Sequence, residues 1–330
     1  MKPCISQATT LPSRFADDVT GYADGGCPAL EVWLTKLETH LETHSVAETQ
    51  ELLMQRGVTL AAAAYQGGLL LSQGEARKAA FDHFKRRLEL CQQFGIRTLL
   101  LVADFVQKVD TIDLGRSVVS LTEAGRWAAG FDVQLALEFR GQDTFCTCLE
   151  TALMLVAECC EPNVGVCLDT FQYYRGPSKP EDLARLTVAN LFHVQVCDVA
   201  GVPRELMTDA DRIFPGEGEF QFDPILNRLH EINYTGFVSL ELLNPDALGI
   251  ETVADCRVGD DGTGTADDPE LIRPRGTTWN CSGHPGDWSS SPIRSRRHLP
   301  PIPTIASSAG VSPRPPTAKI SSSTARRCPS

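Results

Sequence analysis

Eight short apolar stretches of this chain read as strands, and along four of them large aliphatic residues alternate with small or polar ones, the pattern of strands with two unlike faces. The stretches are 3–9, 29–33, 58–65, 98–103, 133–139, 164–170, 191–197 and 237–242. Between them the apolar spacing lengthens to three and four, which predicts helices over 34–56, 75–94, 114–129 and 144–160, a short one over 181–186, and one over 222–232. The clearest is 75–94, where Ala79, Ala80, Phe84, Leu88 and Cys91 share a face and Lys85, Arg86 and Arg87 take the wet side. Strands that alternate with helices in this way build a parallel sheet, each helix returning the chain to start the next strand.

A doubly wound open sheet is the rival arrangement, but no GxGxxG follows the first strand. The expected fold is therefore α/β, a (β/α)8 TIM barrel over residues 1–250. Four runs carry an oxygen-bearing side chain at their C-terminal end: QLALE to Glu138, VGVCLD to Asp169, LFHVQV with Gln195, and FVSLE to Glu241. Alternation puts Leu135 and Leu137 on one face and Gln134, Ala136 and Glu138 on the other. The same division separates Val164, Val166 and Leu168 from Gly165, Cys167 and Asp169, Val194 and Val196 from His193 and Gln195, and Val238 and Leu240 from Ser239 and Glu241. All four polar candidates thus face the lumen at the end where such barrels assemble active sites.

The chain has 330 residues, more than the roughly 250 a barrel needs. The surplus lies at the end, where residues 271–330 hold ten of the 21 prolines, many serines and RSRR at 294–297. Residues 251–330 are read as a disordered Pro/Ser/Arg-rich tail, frame-shifted or otherwise non-native, standing where the eighth helix belongs. The last sixty residues hold nine bases and one acid, which leaves 41 acids against 21 bases in residues 1–270. That surplus of negative charge excludes an extended nucleic-acid footprint on the folded part. The twelve cysteines are scattered rather than framed, as expected of buried thiols in a cytoplasmic protein, and no apolar run is long enough to span a membrane.

Three carboxylates and an amide brought together would repel and raise one another's pKa unless a cation joined them. Their donors are all hard oxygens, which suit Mg²⁺ or Mn²⁺ better than Zn²⁺. The pairs Cys146/Cys148 and Cys159/Cys160 lack a matching second pair and read as packing. His193 shares the lumen face with Gln195 one layer deeper, and Arg212 opens a glycine-bearing loop, RIFPGEGE, which is either a substrate cover or a plain turn.

The segments LALEFRG, VCLDTFQYYRGPSKPEDL, LFHVQVCD, RIFPGEGEF and VSLELLN resemble the sugar phosphate isomerase/epimerase group, the xylose isomerase-like barrels that include the AP endonuclease family-2 proteins. The likeness covers most of residues 1–245. It implies one divalent metal ion, Mn²⁺ or Mg²⁺, held by Glu138, Asp169, Gln195 and Glu241, with Glu138 and Glu241 as the catalytic acid–base pair. The family has a histidine at the position of Gln195, and the glutamine resembles hydroxypyruvate isomerase-like members. Gln172 also departs from the pattern, since many members carry a substrate-touching histidine there.

The implied reaction removes a proton next to a carbonyl through a metal-stabilised enediolate and returns it to the same or the adjacent carbon, giving epimerisation or isomerisation of a small sugar or hydroxy-keto acid. Arg140, Arg204 and Arg212 are candidates to hold a carboxylate or phosphate. Gln172, His193 and Asp198 join them as substrate-binding candidates, as do Glu31 and Asp104, which read equally as salt-bridge partners. A dehydratase of inosose or dehydroshikimate type, an AP endonuclease and a non-catalytic homologue are the competing readings, and a homo-oligomer is the expected assembly.

Overall fold

A computed structural model describes residues 1–104, 108–244, 256–258 and 279–281. Eight strands pair in sequence order and close on themselves: β1 (Lys2–Ser6), β2 (Ala29–Trp33), β3 (Thr59–Gln66), β4 (Thr98–Val102), β5 (Gln134–Glu138), β6 (Val164–Asp169), β7 (Leu191–Val196) and β8 (Phe237–Leu240). Every pairing is parallel, including β8 with β1. Helices α1 (Phe15–Asp24), α2 (Leu34–Leu41), α3 (Val46–Arg56), α4 (Gly74–Gln93), α5 (Thr111–Ala129), α6 (Leu149–Cys159), α7 (Thr170–Arg175) and α8 (Asp223–Glu231) lie between the strands, with a 3₁₀ turn at Pro180–Arg185.

The barrel expected from the alternation is the barrel observed. Leu99, Leu101, Leu135, Leu137, Val164, Val166, Leu168, Val194 and Val196 face outward into the main core, and the small side chains of Ala62, Ala64, Ala136 and Cys167 pack inside around Leu100. Each fully buried aliphatic contributes about 1.5–3 kcal/mol, so the outer layer supplies most of the cohesion. One irregularity shapes the interior. Val166 pairs with Leu191 and Cys167 with His193, which makes Phe192 an extra residue on β7. Its ring packs against the inner cluster. It fits because Gly165 has no side chain: a Cβ there would lie 2.7 Å from Phe192 Cδ2.

The helices depart from expectation in three places. The continuous helix over 34–56 is two, because Ser45 Oγ accepts Glu48 N at 3.2 Å while the Glu48 carboxylate accepts Ser45 N at 2.7 Å. This reciprocal cap satisfies donors that a continuous helix would have used, and starts α3 afresh. The helix expected from 144 begins only at Leu149, since Cys146 sits at positive φ and its carbonyl accepts Arg140 N in a tight loop. Helices α1 and α7 are additions; the six residues of α7 are started by Asp169, whose carboxylate accepts Phe171 N at 2.9 Å.

Among the described residues no helix follows β8. Two short strands, Cys256–Val258 and Trp279–Cys281, pair antiparallel inside the stretch read as disordered. The rest of that stretch, and with it the frame-shift reading, falls outside the described residues. Among the described residues eight cysteines are free thiols, seven of them buried. Cys160 departs from the all-thiol expectation, being disulfide-bonded. Among the described residues no helix is long and apolar enough to cross a membrane.

Candidate active site

Polar side chains converge at the C-terminal mouth of the barrel and are joined by a chain of hydrogen bonds. Gln195 Nε2, on β7, donates to Glu31 Oε1 and to Glu241 Oε1, both at 2.9 Å. Ser6, at the end of β1, donates to the same two carboxylates at 2.9 and 3.3 Å. His193 Nε2 lies 2.7 Å from the other oxygen of Glu31. Glu31 and His193 sit one layer below the rim, and burial would push the Glu31 carboxyl upward. The hydrogen bond and charge of His193, with the hydroxyl of Ser6, outweigh burial and hold it below the usual range.

The opposite half of the mouth is organised by Arg212, whose side chain is 1 % exposed. Its Nη2 reaches Asp169 Oδ2 at 3.0 Å and Asp209 Oδ1 at 2.8 Å, and its Nη1 reaches Glu241 Oε2 at 3.2 Å. The guanidinium lies 4.2 Å over the ring of Phe171, the first residues of α7 thus forming its floor. Burial works against the Arg212 charge, but Asp169, Glu241 and Asp209 are among the groups that raise its pKa well above the ordinary value. Asn244 Nδ2 pins the backbone by donating to Arg212 O at 3.0 Å.

Three carboxyls at this rim hold their protons unusually tightly. Glu138, at the end of β5, is pushed up to about 8 by burial and then by the Asp169 charge, against the pull of Arg140 and Arg212. Burial raises Asp169 despite Arg212, and raises Glu241 well above the carboxylate range despite the same guanidinium. Asp169 and Glu241 touch one Arg212 nitrogen, Gln195 touches Glu241, and Glu138 feels the charges of Asp169 and Glu31.

The remaining candidates divide by what they touch. Gln172 Oε1 accepts Gly141 N at 2.9 Å, beside the close approach of Gly141 to Gly176. Arg140 Nε is paired with Asp143 at 2.8 Å. Asp104 accepts the backbone N–H groups of Leu70, Leu71 and Ser72, and so ties down the loop after β3. Asp198 accepts from Val199, Gly216, Gly218 and Phe220, which folds the glycine-bearing loop back onto the rim. Arg204 is exposed and donates to Arg175 O at 3.3 Å. Sequence reasoning passed over Ser6, Asp209 and Phe171. Ser6 had the signal shared by the others, a polar residue near a strand end, whereas nothing local marks Asp209 or Phe171 as partners of an arginine.

The donor chemistry fits a divalent cation, since three carboxyls with raised pKa gather without enough positive charge to balance them, and the Gln195 amide would add its oxygen on turning over. The arrangement itself is that of a site closed on arginine. Gln195 turns Nε2 toward the acids and Oε1 toward Cys167 Sγ, 3.4 Å away, as an amide beside anions must. Among the described residues no group of three or more His, Cys, Asp or Glu side chains stands ready around one cation.

A family model described as xylose isomerase-like TIM barrel matches residues 22–274. An inosose isomerase of Halalkalibacterium halodurans is 28% identical over 252 residues, covering 74% of this chain and 89% of that protein. A 3-dehydroshikimate dehydratase of Pseudomonas putida is 26% identical over 165 residues, 49% of this chain and 26% of that protein. Among solved structures, that of the IOLI protein with a bound zinc atom superposes with a TM-score of 0.73 at 27% identity, covering 77% of this chain and 93% of the other.

Proposed function

The chain belongs to the xylose isomerase-like TIM barrel family, and from that membership we propose that it is a divalent-metal-dependent isomerase or epimerase of a small polyhydroxy ketone, an inosose or a related sugar or hydroxy-keto acid. The observation that carries the proposal is the pair of buried acids, Glu138 and Glu241, with carboxyl pKa values raised at the barrel mouth. A carboxyl that exchanges its proton near neutral pH is suited to take one from carbon and return it. Glu138 would serve as base once its proton has left, a form that the charges of Arg140 and Arg212 favour. Glu241, held by Ser6, Gln195 and Arg212, is oriented to return the proton from another side.

Glu138, Asp169, Gln195 and Glu241 are the residues that would hold the ion, and their oxygen donors favour Mg²⁺ or Mn²⁺. When bound, such an ion supplies positive charge to the substrate oxygens as the proton leaves. Arg140 and Arg212 place further positive charge beside Glu138, which lowers the cost of anionic character on the substrate. Arg204, Gln172, Asp104 and Asp198 remain proposed substrate contacts, the last two acting also as loop anchors. His193 and Glu31 support the pocket floor.

The test is proton NMR of inosose and of simple ketoses incubated with the Mg²⁺-supplemented protein in deuterated water. Loss of a carbon-bound proton signal is expected for at least one of them. Glu138→Gln and Glu241→Gln should each slow exchange by roughly 10²–10⁴-fold; retention of full exchange by both variants would overturn the assignment. The similarity to a dehydroshikimate dehydratase supports a second reading, in which the same proton removal is followed by loss of water. An ultraviolet-absorbing enone product in place of an isomer would establish that one.

A further inference from the structure

Helix α2 and the turn after it carry a tandem tetrapeptide, LETHLETH at 37–44, which places His40 and His44 one helical turn apart. The turn persists through both, because His44 N still donates to His40 O at 3.1 Å. The two imidazoles stack with centroids 4.1 Å apart and planes 10° from parallel, and His40 also packs on Phe15 at 5.0 Å. His44 Nδ1 faces His40 O at 3.2 Å and Thr43 Oγ1 at 3.0 Å. A carbonyl only accepts, so the tautomer that makes this bond carries its proton on Nδ1 and leaves the lone pair on Nε2. This is the arrangement of a metal-binding histidine, whose second nitrogen is anchored to a backbone carbonyl.

Both rings line a cavity of about 530 Å³ together with Ser13, Thr39 and Glu42. The other charged groups lining this cavity are Arg14, Lys36 and Glu42. Burial, and then the neighbouring His44, pull the His40 pKa below the usual imidazole value, which favours the neutral form of this ring. Lys36 in the same cavity is already neutralised by Asp18 at 2.7 Å. The exposed Glu48 carboxylate is close enough to act electrostatically on both histidines.

We propose that His40 and His44 form a two-imidazole site for a borderline divalent transition-metal ion, Cu²⁺, Ni²⁺ or Zn²⁺, separate from the barrel mouth. Small rotations of two already parallel rings bring their Nε2 lone pairs to one ion, whose other positions go to water. Imidazole ligands order the ions by the usual series, with Cu²⁺ held more tightly than Ni²⁺ and Ni²⁺ more tightly than Co²⁺. The site does not depend on the proposed reaction, because none of its residues belongs to the mouth.

The experiment uses the full chain stripped with EDTA and then kept in excess Mg²⁺, so that hard-cation positions are filled before Ni²⁺ is titrated by calorimetry. One Ni²⁺ binding event is expected, weakened about tenfold or more by either His40→Ala or His44→Ala, and unchanged by His230→Ala on α8. Cu²⁺ at one equivalent should give an electron paramagnetic resonance spectrum with two imidazole nitrogens in the wild type and one in either variant. His44 is exposed, so its variant keeps the fold, and a circular dichroism melt checks the His40 variant. Wild-type affinity for Ni²⁺ in the His44 variant, or a Cu²⁺ spectrum without two imidazole nitrogens in the wild type, would overturn the site.

Discussion

Replacing Arg212 by glutamine should separate the stability of the barrel mouth from its affinity for a divalent cation. The change removes a guanidinium that is 1 % exposed and that contacts Asp169 at 3.0 Å, Glu241 at 3.2 Å and Asp209 at 2.8 Å. Deleting one member of a buried ion pair costs about 3–5 kcal/mol, because the other charge stays buried without compensation. Here Asp169 and Glu241 are already raised toward protonation by burial, and taking up protons relieves part of that cost. The lower end, about 3 kcal/mol, is therefore the expected loss. In a domain of this size each kcal/mol moves the melting temperature by about 2–4 °C, so the variant should melt about 6–12 °C below the wild type in EDTA. In the wild type a cation held by the proposed ligands would share Asp169 and Glu241 with the guanidinium, whereas in the variant it would meet them with no competitor. Saturating Mg²⁺ should accordingly raise the variant's Tm more than the wild type's, a cation at about 100 times its Kd contributing about 2.7 kcal/mol. Melting followed by circular dichroism with and without Mg²⁺ measures both. The reasoning fails if the variant melts within about 2 °C of the wild type, or if the deficit is the same with and without the ion.

Three further outcomes follow from separate parts of the barrel. Gly165→Ala should cost about 1–3 kcal/mol by overpacking, since its Cβ meets both Phe192 Cδ2 at 2.7 Å and Asn190 O at 2.8 Å; chemical denaturation checks it, and a second change of Phe192 to Leu should restore only the side-chain part. Asp198→Ala removes the acceptor of four backbone N–H groups, so residues 213–220 should become a preferred site of limited proteolysis; unchanged cleavage would refute the anchoring role. Glu38 is paired in two bonds with Arg87, at 2.9 and 3.1 Å, and although burial pushes its carboxyl up, Arg87 and His83 hold it below the ordinary value. A lowered carboxyl pKa stabilises the fold above the unfolded value, and that stability is lost as pH falls through the folded value. The Tm difference between wild type and Glu38→Gln should therefore be present at neutral pH and vanish in strong acid, and a constant difference would refute it.

The barrel was legible in the sequence because one force wrote it twice. Strands buried on both sides normally lose their alternation, yet here small residues line the lumen and large ones the outer face, so Leu135 and Leu137 could be told from Ala136 before any coordinates. Boundaries were less legible where the deciding signal was a cap rather than a period. Ser45 and Glu48 form a capping box readable from sequence, but the apolar positions on either side continue in helical spacing and conceal the break. The late start of α6 has no such marker, since it depends on Cys146 adopting positive φ. Phe192 packs inside the barrel because of a bulge that no residue of its own strand marks, and only Gly165 on the neighbouring strand hints at the space it fills.

At the mouth, strand ends were readable and loop partners were not, and the division has a physical source. A residue on a strand is placed by register, so Glu138, Asp169 and Gln195 could be assigned to one rim from alternation alone. Arg212 reaches that rim from a loop whose path is set by Asp198 and Asn244, and its contact with Asp169 joins residues 43 apart in sequence. The difference matters for the chemistry. Of the rim and floor acids, Glu31 alone is held below the usual range, by His193, while Glu138, Asp169 and Glu241 are all raised. A carboxylate held low beneath the others is suited to orienting His193, Gln195 and Ser6, and a carboxyl raised to about 8, as Glu138 is, is suited to moving protons near neutral pH. The same environment thus divides four buried carboxyls into an anionic floor and a rim raised toward protonation, with Arg212 supplying the charge that lets the rim stay buried.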